Sequence, residues 1–252
     1  MYKRQFGESF TRGIIVTAGD LNADGLDDLV ITAEAGGGAR VRVFQSTGTS
    51  FVQRSDFVAL IGGDRKPDAV VFRGGSRAAI SDINGDGTGD LIWAAGAGGG
   101  PRIATFNGKL IDNGNNVDFK LSGDLFALST NLRDGAYIAG GDVNGDGIGD
   151  LVAGGGSGAP PQVVAFSGMN LAKNVFTPFA DFTVGDPATR QGIRVAVKDL
   201  NNDAFADLIV GSAPTAGSRV RGFRGENLSL TGSGSSLFEF DVVPNLNGVF
   251  VG

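Results

Sequence analysis

No cysteine and no histidine occur among the 252 residues. Disulfides, thiolate or imidazole metal sites, and every catalytic scheme built on a thiol or an imidazole are therefore excluded. Carboxylates, lysine, arginine and two tyrosines are what remain for chemistry. No apolar run reaches the length of a membrane span, no leader resembles a signal peptide, and no basic cluster argues for a nucleic-acid partner. A single tryptophan stands beside 18 phenylalanines, and only eight prolines beside 43 glycines. That balance suits many short strands joined by tight turns, so an all-β protein is expected.

One nine-residue pattern, Asp-x-Asn-x-Asp-Gly-x-x-Asp, recurs four times. The first copy places Asp20, Asn22, Asp24, Leu26 and Asp28 at positions one, three, five, seven and nine. The second places Asp82, Asn84, Asp86, Thr88 and Asp90 there, the third Asp142, Asn144, Asp146, Ile148 and Asp150, and the fourth Asp199, Asn201, Asp203, Phe205 and Asp207. The formal charge is −6, but twelve of the 27 acidic residues belong to these loops. Without the twelve, 15 acidic residues face 21 basic ones, so the acidity is local and does not imply a basic partner.

The pattern sits in a longer repeat. A glycine precedes each first aspartate by seven residues (Gly13, Gly75, Gly135, Gly192), and a phenylalanine follows it by 24 (Phe44, Phe106, Phe166, Phe223). Unit lengths are 62, 60, 57 and 56 residues, so the variation falls after the phenylalanine, where outer connections tolerate insertion. Within a unit one strand enters the acidic loop, a second leaves it, a Gly/Ala/Pro turn leads to a third, and a weaker fourth closes the unit. Four antiparallel strands in about 60 residues, repeated, predict a β-propeller of four-stranded blades. The blades are expected at 13–74, 75–134, 135–191 and 192–247.

The Phe-x-Gly of Phe106 to Gly108, Phe166 to Gly168 and Phe223 to Gly225, the Gly-Ala-Pro of Gly158 to Pro160, and the acidic loop between the first two strands resemble the FG-GAP repeats of integrin α-type propellers and of FG-GAP/VCBS proteins. The resemblance implies a calcium-binding propeller in which the four side chains at positions one, three, five and nine and the carbonyl at position seven of each loop are the ligands. It covers nearly the whole chain. At the ends, Phe6 to Phe10 match an outer strand and residues 248–252 match the first strand of a further unit. Residues 1–12 are read as a leading remnant, in part artefactual. The four blades are expected either to close into a ring or to form part of a larger propeller, commonly seven-bladed, with the natural chain extending both ways and any signal peptide lying outside this one.

Alternating oxygen donors around a glycine turn suit a hard cation, and calcium is preferred over magnesium because a flexible all-oxygen loop tolerates more than six ligands. The competing reading is that Asp and Asn merely bond their own backbone in Asx turns. An EF-hand is ruled out by Ile31, Trp93, Ala153 and Val210 at position twelve. Up to four ions are expected, the fourth held more weakly because Ala204 replaces the glycine at position six. Trp93 is expected to pack between blades, Arg40, Arg42, Arg102, Arg219 and Arg221 to be solvated, and Asp27 to be an exposed neighbour of Asp28. The function expected is a non-catalytic, calcium-binding module of a secreted or cell-surface protein, serving as a scaffold or in adhesion, with an extracellular protein or glycan as partner. A polysaccharide lyase-like enzyme, with Asp64, Arg65, Lys66 and Tyr137 as scattered candidates, and a lectin are the alternatives.

Overall fold

The computed structural model describes residues 12–59, 72–112, 119–212, 218–230, 232–242 and 248–252. The expected outer strand at Phe6 to Phe10, the candidates Asp64, Arg65 and Lys66, and the Ala213-Pro214 turn lie outside them. Among the described residues, sixteen strands form four antiparallel sheets of four. The first sheet holds β1 (Ile14–Gly19), β2 (Asp28–Ala33), β3 (Arg40–Ser46) and β4 (Phe51–Val58). The second holds β5 (Ser76–Ser81), β6 (Asp90–Ala95), β7 (Arg102–Phe106) and β8 (Leu125–Phe126). The third holds β9 (Ala136–Gly141), β10 (Asp150–Gly155), β11 (Gln162–Phe166) and β12 (Ala180–Thr183). The fourth holds β13 (Ile193–Lys198), β14 (Asp207–Ser212), β15 (Arg219–Phe223) and β16 (Ser236–Asp241). Within each sheet the strands lie in chain order.

Register repeats with the sequence. Gly19, Ser81, Gly141 and Lys198 pair with Asp28, Asp90, Asp150 and Asp207, so every acidic loop closes the same hairpin. Likewise Leu29, Leu91, Leu151 and Leu208 pair with Phe44, Phe106, Phe166 and Phe223. Two short helices, α1 (Gly108–Asp112) and α2 (Gly168–Ala172), and a 3-10 turn at Gly225–Asn227 follow the Phe-x-Gly motifs. The strand pattern did not foreshadow them, since five-residue segments carry no helical period.

The core lies between sheets. One apolar cluster joins the first two, with Trp93 fully buried among Leu21, Val41, Phe57 and Phe106. A second joins Ile92 and Ile103 to Leu151 and Phe166, and a third joins Val152 and Val163 to Leu208 and Phe223. β6 and β10 are buried along their whole length, which is why they read as continuous apolar runs. The inner strands pack in succession, β1 on β5, β5 on β9 and β9 on β13. Among the described residues no comparable packing joins β13 to β1, and Ile14 and Val16 on β1 stay exposed. The result is a propeller-like array of four blades.

The third-strand arginines were expected to be solvated, and Arg40 and Arg219 are exposed, whereas Arg42, Arg102 and Arg221 are half-buried. Arg40 and Arg42 pair with Asp56 and Arg219 and Arg221 with Glu239, across to the fourth strand of the same sheet, and Arg102 pairs with Asp124, just before the fourth strand of its own. Cross-strand opposite charges offset the poor pairing of an outer strand with little apolar content. Asp27 is exposed, as expected.

Candidate metal centres

Each acidic loop folds by the same local rule. The carboxylate at position one accepts the amide of position six: Gly25 to Asp20 and Gly87 to Asp82 at 2.8 Å, Gly147 to Asp142 at 2.8 Å, and Ala204 to Asp199 at 3.3 Å. The Asn at position three accepts the amide of position five at 2.8–3.0 Å. The aspartate at position five accepts the amide of position seven at 2.8–3.0 Å. This winding needs left-handed backbone twice, at position six (Gly25 φ 83°, Gly87 φ 80°, Gly147 φ 83°, Ala204 φ 73°) and at position four (Ala23 φ 61°, Gly85 φ 73°, Gly145 φ 75°, Asn202 φ 58°). The requirement at position four was not anticipated, although Gly, Gly and Asn there were a legible signal.

The aspartate at position nine serves a second purpose. Asp28, Asp90, Asp150 and Asp207 are fully buried. One oxygen accepts the amide at position two, from Leu21, Ile83, Val143 and Leu200 at 3.1–3.2 Å. The other accepts an amide at the end of the third strand, from Ser46 at 2.8 Å, or just beyond it, from Gly108 at 3.0 Å, Gly168 at 3.1 Å and Gly225 at 3.3 Å. The last three are the glycines of Phe-x-Gly. A Cβ on Gly168 would stand 1.9 Å from the Gly149 carbonyl and one on Gly108 1.9 Å from that of Gly89, so the motif is glycine because its backbone is wedged against the loop. Position nine thus clamps the third strand to the first hairpin.

Burial pushes the Asp90 carboxyl up to about 6 and that of Asp150 up to about 7, against the amides that favour the charged form. At Asp20 burial is outweighed by the amides of Gly25, Asn22, Ala23 and Asp24, which hold it below the usual carboxylate range. Asp86 is likewise held low, because Lys109, Asn84 and Thr88 outweigh burial.

Successive loops are stacked. The amide at position eight donates to the carbonyl of the first aspartate in the preceding loop: Gly89 to Asp20 at 3.0 Å, Gly149 to Asp82 at 2.7 Å and Ala206 to Asp142 at 2.6 Å. The position-seven side chain lies on position four of the preceding loop, with Ile148 against Gly85 and Phe205 against Gly145. Ala206 is accommodated because Gly141 beside it has no side chain, whereas Gly149 faces Ser81.

Every donor named at positions one, three, five, seven and nine is oxygen, which fits calcium by type. Among the described residues, however, no three acidic side chains stand together as they would around an ion. The carboxylates are turned to amides, and an ion would share whichever of a carboxylate's roughly four lone pairs the amides leave. Loops two and four also carry a cation: Lys109 lies 3.2 Å from Asp86, and Arg224 lies 3.9 Å from Asp203. The lone candidate Tyr137 lies apart from all four loops, on β9.

Such an array, one acidic hairpin loop per four-stranded blade, defines a class of propeller-like repeat protein. Residues 12–52 match the model of the FG-GAP repeat family, and the three later units carry the same spacing. No curated protein matches the chain. Among solved structures, rhamnogalacturonan lyase PL11 of Bacillus licheniformis is 12% identical over 91% of this chain and 52% of its own, with a TM-score of 0.44. Rhamnogalacturonan lyase YesW is 12% identical over 93% of this chain and 52% of its own, with a TM-score of 0.42. The exotype rhamnogalacturonan lyase YesX is 13% identical over 92% and 50%, with a TM-score of 0.42. The chain spans about half the length of these structures.

Proposed function

We propose that the chain is a calcium-stabilised, non-catalytic propeller module of a secreted or cell-surface protein, displaying a surface for scaffolding, adhesion or ligand binding to an extracellular protein or glycan. The observation that carries this reading is the fourfold recurrence of one loop conformation, down to the position-six amide on the position-one carboxylate. Asx turns need only one carboxylate each, yet every loop brings three and buries the third, a charge cost that a cation offsets. Loops this exposed suit the weak affinities of extracellular calcium modules. Asp90 and Asp150, whose carboxyl pKa values burial raises, are closed off by backbone amides, while Asp56, Glu239 and Asp241 on the outer strands are held in ion pairs and Asp181 accepts a hydrogen bond from Gln162. That placement supports a structural role for them.

The test is thermal unfolding of the chain with excess calcium, with magnesium, and with a chelator. A calcium-specific rise in Tm is expected, since an ion bound only to the folded state stabilises it by mass action. An unchanged Tm in all three would reduce the loops to Asx turns.

A further inference from the structure

The residue two places after each unit-opening glycine occupies one register on the inner strands, and three of these residues meet. Arg77 of β5 stacks on the ring of Tyr137 of β9, with the guanidinium carbon 4.0 Å from the centroid, and Arg194 of β13 lies 5.4 Å from the same ring. Arg194 also stacks on Phe250 at 3.8 Å. Each arginine clamps the next unit through a carbonyl: Arg77 donates to Ala136 at 2.9 Å and Arg194 to Val249 at 3.0 Å.

The clamp leaves much of both guanidiniums unused. Arg194 is 6% exposed, yet its Nε–H has no acceptor. Among the described residues neither arginine enters an ion pair, in contrast to the third-strand arginines. The field of Asp134 reaches Arg77, but from beyond pairing distance. Arginine does not relieve burial by losing its proton, so two guanidiniums against one tyrosine stand as positive charge that, among the described residues, only the Tyr137 hydroxyl, paired with Arg77, and the more distant Asp134 offset. Burial is the main cause that holds Arg77 below its ordinary pKa, and Arg194 adds to it. Arg77 and Tyr137 are half-buried, which leaves the cluster open on one side.

We propose that Arg77, Tyr137 and Arg194 form a binding site for a small oxyanion, a carboxylate or a phosphate monoester, on the inner edge of the array. The planar forks offer paired N–H donors of the kind carboxylate and phosphate oxygens accept, and the phenol offers a further hydrogen bond.

Calorimetry on the full chain, saturated with calcium, tests this with malonate as the carboxylate probe, glycerol 3-phosphate as the phosphate probe, and sodium chloride at matched ionic strength as the control. Saturable binding of at least one probe with a millimolar or tighter Kd is expected, weakened at least tenfold in R77Q/R194Q. Which probe binds tells the two sources apart. Chloride-like responses to both probes, or unchanged affinity in a folded R77Q/R194Q, would overturn the site. Should that variant fail to fold, phenylglyoxal labelling of the unaltered chain decides. Slower modification of Arg77 in the presence of either probe is expected, and equal rates with and without both probes would refute the proposal.

Discussion

The left-handed positions of the acidic loops are where single residues matter most. Ala204 at φ 73° bears a Cβ that its three counterparts lack, and its amide reaches Asp199 at 3.3 Å where the glycines manage 2.8 Å. Ala204→Gly is expected to stabilise the fourth blade by about 1 kcal/mol, seen as a shift of the denaturant midpoint at constant slope. Lys109 shows a second effect of one side chain, because its ammonium occupies the field that a cation would use at Asp86. Lys109→Gln is therefore expected to strengthen calcium binding at the second loop by up to about fivefold, the scale of an exposed pair of roughly 1 kcal/mol. Measured affinity no better than that of the unaltered chain would count against calcium at that loop.

At the scale of elements, the hairpin, the third strand and the Phe-x-Gly glycine form one unit held by the position-nine aspartate. Gly168→Ala would drive a Cβ into the Gly149 carbonyl, while Gly147→Ala meets nothing within 4 Å. The first is expected to cost more than the second, about 1–3 kcal/mol of overpacking against the roughly 1 kcal/mol of a left-handed alanine. Thermal or denaturant unfolding of the two variants side by side checks the order. The hairpins and third strands were legible in the sequence because their apolar alternation and their spacing from Gly13, Gly75, Gly135 and Gly192 recur without a gap. The fourth strands were harder. β8 has only two residues and β12 four, too short for an alternating pattern to show, and polar contacts beside them, Arg102 to Asp124 before β8 and Gln162 to Asp181 in β12, add to the pairing. The clamp role of Asp28 and its counterparts was hidden for another reason: a buried carboxylate that accepts amides and one that binds an ion are the same letter at the same spacing.

For the whole molecule, the array is stabilised between neighbours, since each apolar cluster spans two consecutive sheets. Stability should therefore grade along the chain. Amides of β5 to β7 and β9 to β11, covered on both sides, are expected to exchange more slowly than those of β1 and β16, whose residues are half-exposed or exposed along their length. Native-state hydrogen exchange read by mass spectrometry checks this, and uniform protection would argue for a single cooperative core instead. The buried Arg194 and half-buried Arg77 on the inner strands escaped the sequence reading because an arginine at one register of a strand looks solvated until the next blade is seen against it.

The stacking of loop on loop has a further consequence. Position eight always gives an amide to the blade before, and position one always offers a carbonyl to the blade after, so the contact is heterologous and polar, like that between subunits of a filament. The backbone part of that contact does not specify how many units there are. The amide-to-carbonyl contact is the same at every join, but its side chains are not: excising the third unit in frame would set Ala206 against Ser81, where even a Cβ on Gly149 would stand 1.9 Å from the hydroxyl, whereas excising the second would set Gly149 against Gly19, so units can be lost or gained only where the neighbouring small residues match.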